Sequence, residues 1–264
     1  MTEPTPMISN QPAVEQNQCH FFHFGLLVTG KGEREHLPKL FRSLQETGIC
    51  TFEVIRFLGQ RSPQTSDKKI LKMVGSGKII PSRDEEAIGV PARGYLSNDT
   101  CRFVILIDDL EYGRRDQAQQ LFDRYRLALN TMLTKEQQHR AAVHFLVNML
   151  EAYYFADAQA VNAVLNLKPP LEDYAEDVET IRHPKNELKK LVSGFKEIEH
   201  GGVILDRLDI GHILSLPDHC AALRTLFAWC VGILEKYPYF DDIALGDKFQ
   251  LADGVMYPIT QRQL

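Results

Sequence analysis

The sequence lacks long apolar runs, paired metal-binding motifs and an excess of basic residues. No apolar stretch approaches the roughly 20 residues that span a bilayer, so we expect no membrane protein. The N-terminal stretch MTEPTPMISNQPAVEQNQ has neither a basic start nor an apolar segment, which predicts a disordered tail, not a signal peptide. The net charge of −5 argues against unaided nucleic-acid binding, because affinity for phosphates depends on Lys and Arg.

The cysteines show no CxxC pair and no Cys/His spacing typical of a metal site. Their odd number and wide scatter favour reduced thiols in a cytoplasmic protein, most of them small core residues. They are Cys19, Cys50, Cys101, Cys220 and Cys230. The histidines form no HExxH motif, and we interpret His144 as a core residue with satisfied hydrogen bonds.

Glycine-rich phosphate loops are also missing. Residues 25–31 fit GxxxxGK, but Gly32 takes the place of the required Ser or Thr, and the interior is as apolar as a strand. Residues 75–78 (GSGK) lack the upstream glycine and predict a flexible turn. A P-loop nucleotide-binding site is therefore not expected.

Alternating strand and helix patterns predict an α/β domain with a mostly parallel sheet flanked by helices, followed by a helical C-terminal part. Strands are predicted at 20–28, 51–58, 102–107 and 142–147. Helices are predicted at 33–47, 114–133, 150–167, 184–192 and 218–236. Residues 59–98 predict a long loop with at most a short helix. The expected units are a tail (1–19), an α/β domain (20–168) and a mainly helical subdomain (169–264).

Acidic residues follow three of the predicted strands. Asp108, Asp109 and Glu111 follow the third strand, while Glu33 and Glu151 follow the first and fourth. If the strands are parallel, these groups meet at one edge of the sheet, where ligands bind in such folds. Clustered carboxylates favour a hard cation, chiefly Mg²⁺ with Mn²⁺ possible, and phosphoryl-transfer chemistry.

Each acidic residue also has a structural interpretation. The Asp-Asp-Leu-Glu segment could cap the following helix, and Glu33 could stabilise the first turn of its own helix. Glu151 could lie on the exposed edge of a helix. Basic residues that could contact phosphate are Lys31, Lys78, Arg114 and Arg115, each with a solvated surface as the alternative.

The stretches VTGKGEREHLPKLFRSL, VILIDDLE and FLVNMLEAYYFAD resemble a bacterial family of unknown function, domain of unknown function 4276, which is considered TOPRIM-like. HPKNELKKLVSGFKEIEHGG resembles the C-terminal part of the same family. The resemblance implies a TOPRIM-like (Rossmann-like) fold. It assigns metal binding to Asp108, Asp109 and Glu111, and catalytic or supporting roles to Glu33 and Glu151. Thr29 stands where TOPRIM domains usually have Glu.

The resemblance implies a Mg²⁺-dependent nuclease, a partner ATPase of the ABC or AAA type, and a setting of defence against foreign DNA. A partner could supply the nucleic-acid affinity that the acidic chain lacks. Thr29 motivates a second hypothesis, a degenerate module that binds a partner or nucleic acid without cutting. A small-molecule phosphohydrolase is a third hypothesis.

Overall fold

The computed structural model describes residues 18–59, 81–243, 245–249, 251 and 253–264. Within these residues, four strands form one parallel sheet in the order β2-β1-β3-β4. The strands are β1 (Phe22–Val28), β2 (Cys50–Phe57), β3 (Arg102–Leu110) and β4 (Ala141–Val147). The predicted α/β fold, a parallel sheet flanked by helices, is confirmed.

Helices cover both faces of the sheet and make up most of the chain after β4. They are α1 (Lys31–His36), α2 (Arg42–Gln45), α3 (Arg83–Leu96), α4 (Ala118–Met132), α5 (Lys135–Gln138), α6 (Ala158–Leu165), α7 (Pro184–Leu191), α8 (Glu197–Leu205), α9 (Ile210–Ile213), α10 (Ala221–Leu234) and α11 (Leu245–Phe249). Short 3₁₀ segments span Leu37–Phe41, Tyr112–Gln117, Leu150–Ala156, Val178–Thr180, Phe240–Ile243 and Gln261–Gln263.

The strands alternate their side chains between two apolar cores, as the twofold period of a strand requires. On β3, Phe103, Ile105 and Ile107 join a large core with the C-terminal helices. Val104 and Leu106 join a smaller core under α3 and α4. The large core unites side chains from both sides of residue 168, where we predict a domain boundary. That boundary stays a prediction.

The long-loop prediction for 59–98 is wrong in its second half. Helix α3 occupies Arg83–Leu96, and a capping box between Ser82 and Glu85 starts it. Glycine and proline residues in this stretch had favoured a loop. In the helix, a Cβ at Gly89 would overlap the side chain of Met132. Glycine therefore lets α3 and α4 pack closely. Residues 60–80, including the GSGK turn, lie outside the described residues.

Three predicted helices are interrupted. The helix expected at 33–47 consists of α1, a 3₁₀ segment containing Pro38, and α2. Proline has no amide hydrogen to donate within a helix, which accounts for the interruption. The helices expected at 114–133 and 150–167 both begin with 3₁₀ segments, and Asp157 caps the start of α6 through the amide of Ala160.

The expectation that all five thiols are reduced is also wrong. Cys19 and Cys101 form a disulfide across 82 residues of sequence. Cys19 precedes β1 and Cys101 precedes β3, and these neighbouring parallel strands start at the same edge of the sheet. Spacing in the sequence does not reveal this proximity. The other three cysteines are free and buried, as expected for core residues. None of the described helices combines the length and apolar character needed to cross a bilayer.

His144 is buried as predicted, but the prediction that its hydrogen bonds are satisfied is wrong. Both ring nitrogens lack a hydrogen-bond partner among the described residues, and the ring lies 6.1 Å from that of Trp229. Burial lowers the pKa of His144 to about 3. The imidazole is therefore neutral in the folded protein at neutral pH, and protonation opposes folding.

We predict that His144→Leu raises the free energy of unfolding by about 1 kcal/mol at neutral pH, because it removes an unsatisfied buried polar group. The folded-state pKa of His144 lies below the unfolded value, so stability falls as pH drops from about 6.5 towards 3. The substitution should reduce this acid sensitivity. Urea denaturation at several pH values measures both effects, and an unchanged pH profile would contradict the assignment.

Candidate functional site

Strand β3 runs three residues beyond its predicted end, to Leu110, and this places Asp108 and Asp109 inside the strand. Adjacent residues of a strand point to opposite faces. Asp108 therefore faces α4, and Asp109 faces the large core and the C-terminal helices. Both are buried, with 0% and 3% exposure, so the interpretation of these two residues as a solvated helix cap is wrong.

Asp108 forms a buried polar network with three other side chains. Its carboxylate accepts hydrogen bonds from Thr29 Oγ1 at 2.6 Å, Tyr125 Oη at 3.0 Å and Arg114 Nη2 at 2.8 Å. Thr29 Oγ1 also accepts a hydrogen bond from the amide of Asp109. The arrangement satisfies a fully buried charge and holds the ends of β1 and β3 together.

Asp109 lies on the other face and organises the turn after β4. Its Oδ1 accepts a hydrogen bond from the amide of Leu150 at 3.0 Å. The two residues before Leu150, Asn148 and Met149, have φ values of 57° and 81°. Non-glycine residues with positive φ carry backbone strain, of about 1–3 kcal/mol each, and such strain clusters at functional sites. The turn brings Glu151 to the face that Asp109 occupies.

Glu33 reaches the same face from helix α1. Its carboxylate folds back over Gly30, where a Cβ would overlap it, so this position requires the absence of a side chain. Glu33 is 3% exposed, and its Oε2 has no hydrogen-bond partner among the described residues. Glu33 lies in the first turn of its helix, as predicted. A carboxylate that only stabilises the helix terminus does not need to be buried, so the burial of Glu33 is not explained by that role.

Glu151 is also buried, at 4% exposure, which rules out the alternative of an exposed helix edge. Within the described part of the chain, its Oε2 likewise has no hydrogen-bond partner. Its Oε1 lies 3.5 Å from Nζ of Lys185 on α7. Glu33 and Glu151 thus follow β1 and β4, Asp109 lies near the end of β3, and these buried residues are close enough for their charges to interact.

The three carboxylates disfavour each other's ionisation. Burial and the charges of Glu33 and Glu151 raise the pKa of Asp109 well above its usual range. Burial also raises the pKa of Glu33, and it raises the pKa of Glu151 to about 7 even though Lys185 lies beside it. Without a further cation, burial and repulsion thus favour the protonated forms of these carboxylates.

Sequence reasoning missed three residues at this site. Lys185 Nζ lies 2.7 Å from Oε1 of Glu197 on α8, and the buried Tyr154 hydroxyl lies 3.5 Å from the carbonyl of Gly201. Burial, followed by the charges of Glu151 and Glu33, raises the pKa of Tyr154. These residues lie in LEAYYFAD and HPKNELKKLVSGFKEIEHGG, the stretches that carry the family resemblance. The family resemblance of these stretches was therefore the only hint in the sequence. Charge alone does not single out Lys185 and Glu197, because many other charged residues surround them in the sequence.

The remaining predicted residues lie in different surroundings. Glu111 is half-buried at the start of the 3₁₀ segment Tyr112–Gln117, and Arg114 pairs with Asp108. Lys31 and Arg115 are exposed. Lys78 lies outside the described residues. The structure thus brings Glu33, Asp109 and Glu151 together, while Asp108 and Arg114 form a separate pair on the opposite face of β3.

The donor set suits a hard cation, since it consists of carboxylate oxygens and two of these oxygens are buried without a hydrogen-bond partner in the described residues. However, among those residues no group of three or more His, Cys, Asp or Glu side chains is arranged to hold a metal ion as it stands. Metal binding at this site would therefore require side chains to move, with Lys185 as the nearest obstacle.

The fold and site define a parallel α/β protein with a buried acidic centre at the carboxyl edge of its sheet. Comparison with protein families gives a match to the domain of unknown function DUF4276 over residues 28–227. The match covers most of the chain, which therefore belongs to this family. Neither the curated proteins nor the solved structures gave a match.

We predict that Asp108 and Asp109 respond oppositely to substitution. Asp108→Ala should lower the free energy of unfolding by about 3–5 kcal/mol, since it removes the fully buried carboxylate that accepts hydrogen bonds from Thr29, Arg114 and Tyr125. Asp109→Asn should leave stability unchanged or raise it near neutral pH, because it removes a carboxylate that burial and repulsion disfavour. Urea denaturation of both variants measures this, and equal losses of stability would contradict the division of roles.

Proposed function

We propose that this protein is a Mg²⁺-dependent phosphotransferase of the TOPRIM type that acts as a nuclease. The observation that carries the proposal is that three buried carboxylates, those of Glu33, Asp109 and Glu151, lie close enough to interact electrostatically. Two of them retain a carboxylate oxygen without a hydrogen-bond partner in the described residues. They lie at the carboxyl edge of a parallel sheet, which is where such folds bind ligands.

In this proposal Asp109, Glu33 and Glu151 hold the cation, with Mn²⁺ as an alternative to Mg²⁺. When bound, the cation would polarise a phosphate of the substrate and stabilise the charge that develops during transfer. Asp108 acts through Thr29 and Arg114 to fix β3, and Glu111 remains a candidate outer ligand.

The acidic chain would need a partner to supply affinity for nucleic acid. The net charge of −5 gives little general attraction for phosphates, and Arg114 already pairs with Asp108. We therefore propose that an ATPase partner of the ABC or AAA type delivers the substrate, with Lys31 and Arg115 as exposed phosphate contacts. We further propose a cytoplasmic setting of defence against foreign DNA, which rests on the family resemblance and not on the cysteines, since Cys19 and Cys101 form a disulfide.

The activity is tested by cleavage of single-stranded and double-stranded nucleic acid with Mg²⁺ or Mn²⁺, with and without the partner ATPase. We predict that Glu33→Gln lowers the cleavage rate about 100-fold or more, because it removes a charged oxygen from the centre. Glu35→Gln is the matched control on the same helix, since Glu35 is exposed and should retain activity. Equal activity of the two variants would contradict the proposed centre.

Metal binding should depend on pH. Since burial raises the pKa values of Asp109 and Glu151, a divalent cation must displace protons from them. We predict that Mn²⁺ binds more tightly as pH rises through 7, with release of protons. Calorimetry in two buffers of different ionisation enthalpy measures the number of protons released. Binding that is independent of pH would place the ion elsewhere.

A second candidate function is a non-cutting module, and Thr29 favours it. Thr29 stands at the position of the usual TOPRIM glutamate and is committed to hydrogen bonds with Asp108 and Asp109. Such a module would bind Mn²⁺ or the ATPase without turning over nucleic acid. Binding without cleavage under every metal condition, with the partner present, would favour this function over the nuclease.

A further inference from the structure

Lys185 occupies the point where the acidic centre meets the C-terminal helices. Its ammonium lies between Glu151, 3.5 Å away, and Glu197, 2.7 Å away. Its charge also lowers the pKa of Glu33 and Asp109, against the larger effect of their burial. One ammonium therefore acts on four carboxylates that come from the ends of three strands and from α8.

Lys185 and Glu197 lie on the outer side of this group. The side chains of Lys185 and Glu197 are 26% and 37% exposed, whereas that of Glu151 is 5% exposed. An ion or a phosphate that approaches the buried carboxylates from solvent would thus encounter the Lys185–Glu197 pair first.

The two partners are anchored differently. Helix α8 packs against α1 and the 3₁₀ segment that follows it. Lys39 Nζ donates to the carbonyl of Gly202 at 2.9 Å, and Gly202 packs against His36. Lys185 lies on α7, which packs against the 3₁₀ segment Leu150–Ala156 through apolar contacts and buries Pro184 and Leu188. A lysine side chain can leave such a position by rotation, without movement of its helix.

The ammonium and a divalent cation would compete for the same oxygens. Two cations within a few ångströms repel each other strongly in a partly buried site. The described carboxylates are not arranged to hold a metal as they stand, while Lys185 draws Glu151 and Glu197 towards itself. The lysine therefore stabilises the metal-free arrangement.

We propose that Lys185 is a built-in counter-cation that closes the acidic centre, and that a divalent metal ion enters only when its ammonium is released to solvent. The inference rests on the proposed function, because it assigns the regulation of that same site. Lys185 is a positioning residue in this account. The Lys185 ammonium determines how high the metal-ion concentration must be for the metal to bind. Below that concentration, the ammonium offsets the negative charge of the carboxylates.

The first test measures Mn²⁺ binding by calorimetry at one alkaline pH. Lys185→Met should bind Mn²⁺ at least about tenfold more tightly than the unmodified protein, since one competing charge is gone. Lys185→Arg retains the charge and should bind close to the unmodified level. Lys189→Met is the matched control, because Lys189 is exposed on the same helix and should leave binding unchanged.

The second test uses the unmodified protein and so does not depend on the folding of a variant. Brief acetylation followed by mass spectrometry reports how accessible each lysine is. Addition of Mn²⁺ should raise the labelling of Lys185 towards that of Lys189. Labelling of Lys185 that falls or stays constant at saturating Mn²⁺ would show that the ammonium remains in place, and this would overturn the proposal.

The outcomes separate the two levels of the account. If the unmodified protein binds Mn²⁺ and Lys185→Met binds it equally or more weakly, the proposed competition by Lys185 is wrong, but the metal site is retained. No binding by either protein overturns the metal site and the competition with it. Binding by Lys185→Met alone supports the proposal, with the lysine as a strong barrier.

Discussion

Repulsion among buried carboxylates is the constraint on which the arrangement of this protein depends. Burial raises the pKa values of Glu33, Asp109 and Glu151, and the charges of Glu33 and Glu151 raise that of Asp109 further. Such a group persists only if protons, an internal cation or a bound metal neutralise it. Lys185 supplies part of this neutralisation and connects the sheet to the helical segments that follow β4. The negative charge that Lys185 does not neutralise makes the centre a candidate site for a divalent ion.

Strand β3 places its two aspartates on opposite faces of the sheet by the alternation of its side chains. Asp108 faces α4, where Arg114, Tyr125 and Thr29 satisfy its carboxylate. Asp109 faces the acidic centre and holds the strained turn that carries Glu151. Two chemically identical neighbours thus differ in role because one is fully paired and the other is in a repulsive group. The pairing of Asp108 rigidifies the strand that presents Asp109.

Much of the fold could be predicted from periodicity. The four apolar runs became four parallel strands, and the convergence of Glu33, Asp109 and Glu151 followed from that topology. The split between Asp108 and Asp109 was missed because the strand was predicted to end at Ile107, although their backbone continues the ladder with β4. Lys185 and the Cys19–Cys101 disulfide could not be predicted, since both join segments distant in the chain. Helix α3 was missed because its glycine and proline resemble loop signals, while Gly89 serves helix packing.

The central claim is that Glu33, Asp109 and Glu151 form a metal centre distinct from the Asp108–Arg114 pair. Anomalous diffraction from crystals soaked in Mn²⁺ tests it most directly, because manganese identifies itself by its scattering. We predict a peak bordered by carboxylate oxygens of these three residues, with the Lys185 side chain displaced towards solvent. A peak against Asp108 and Glu111 instead, or no peak near Asp109 at saturating Mn²⁺, would contradict the account.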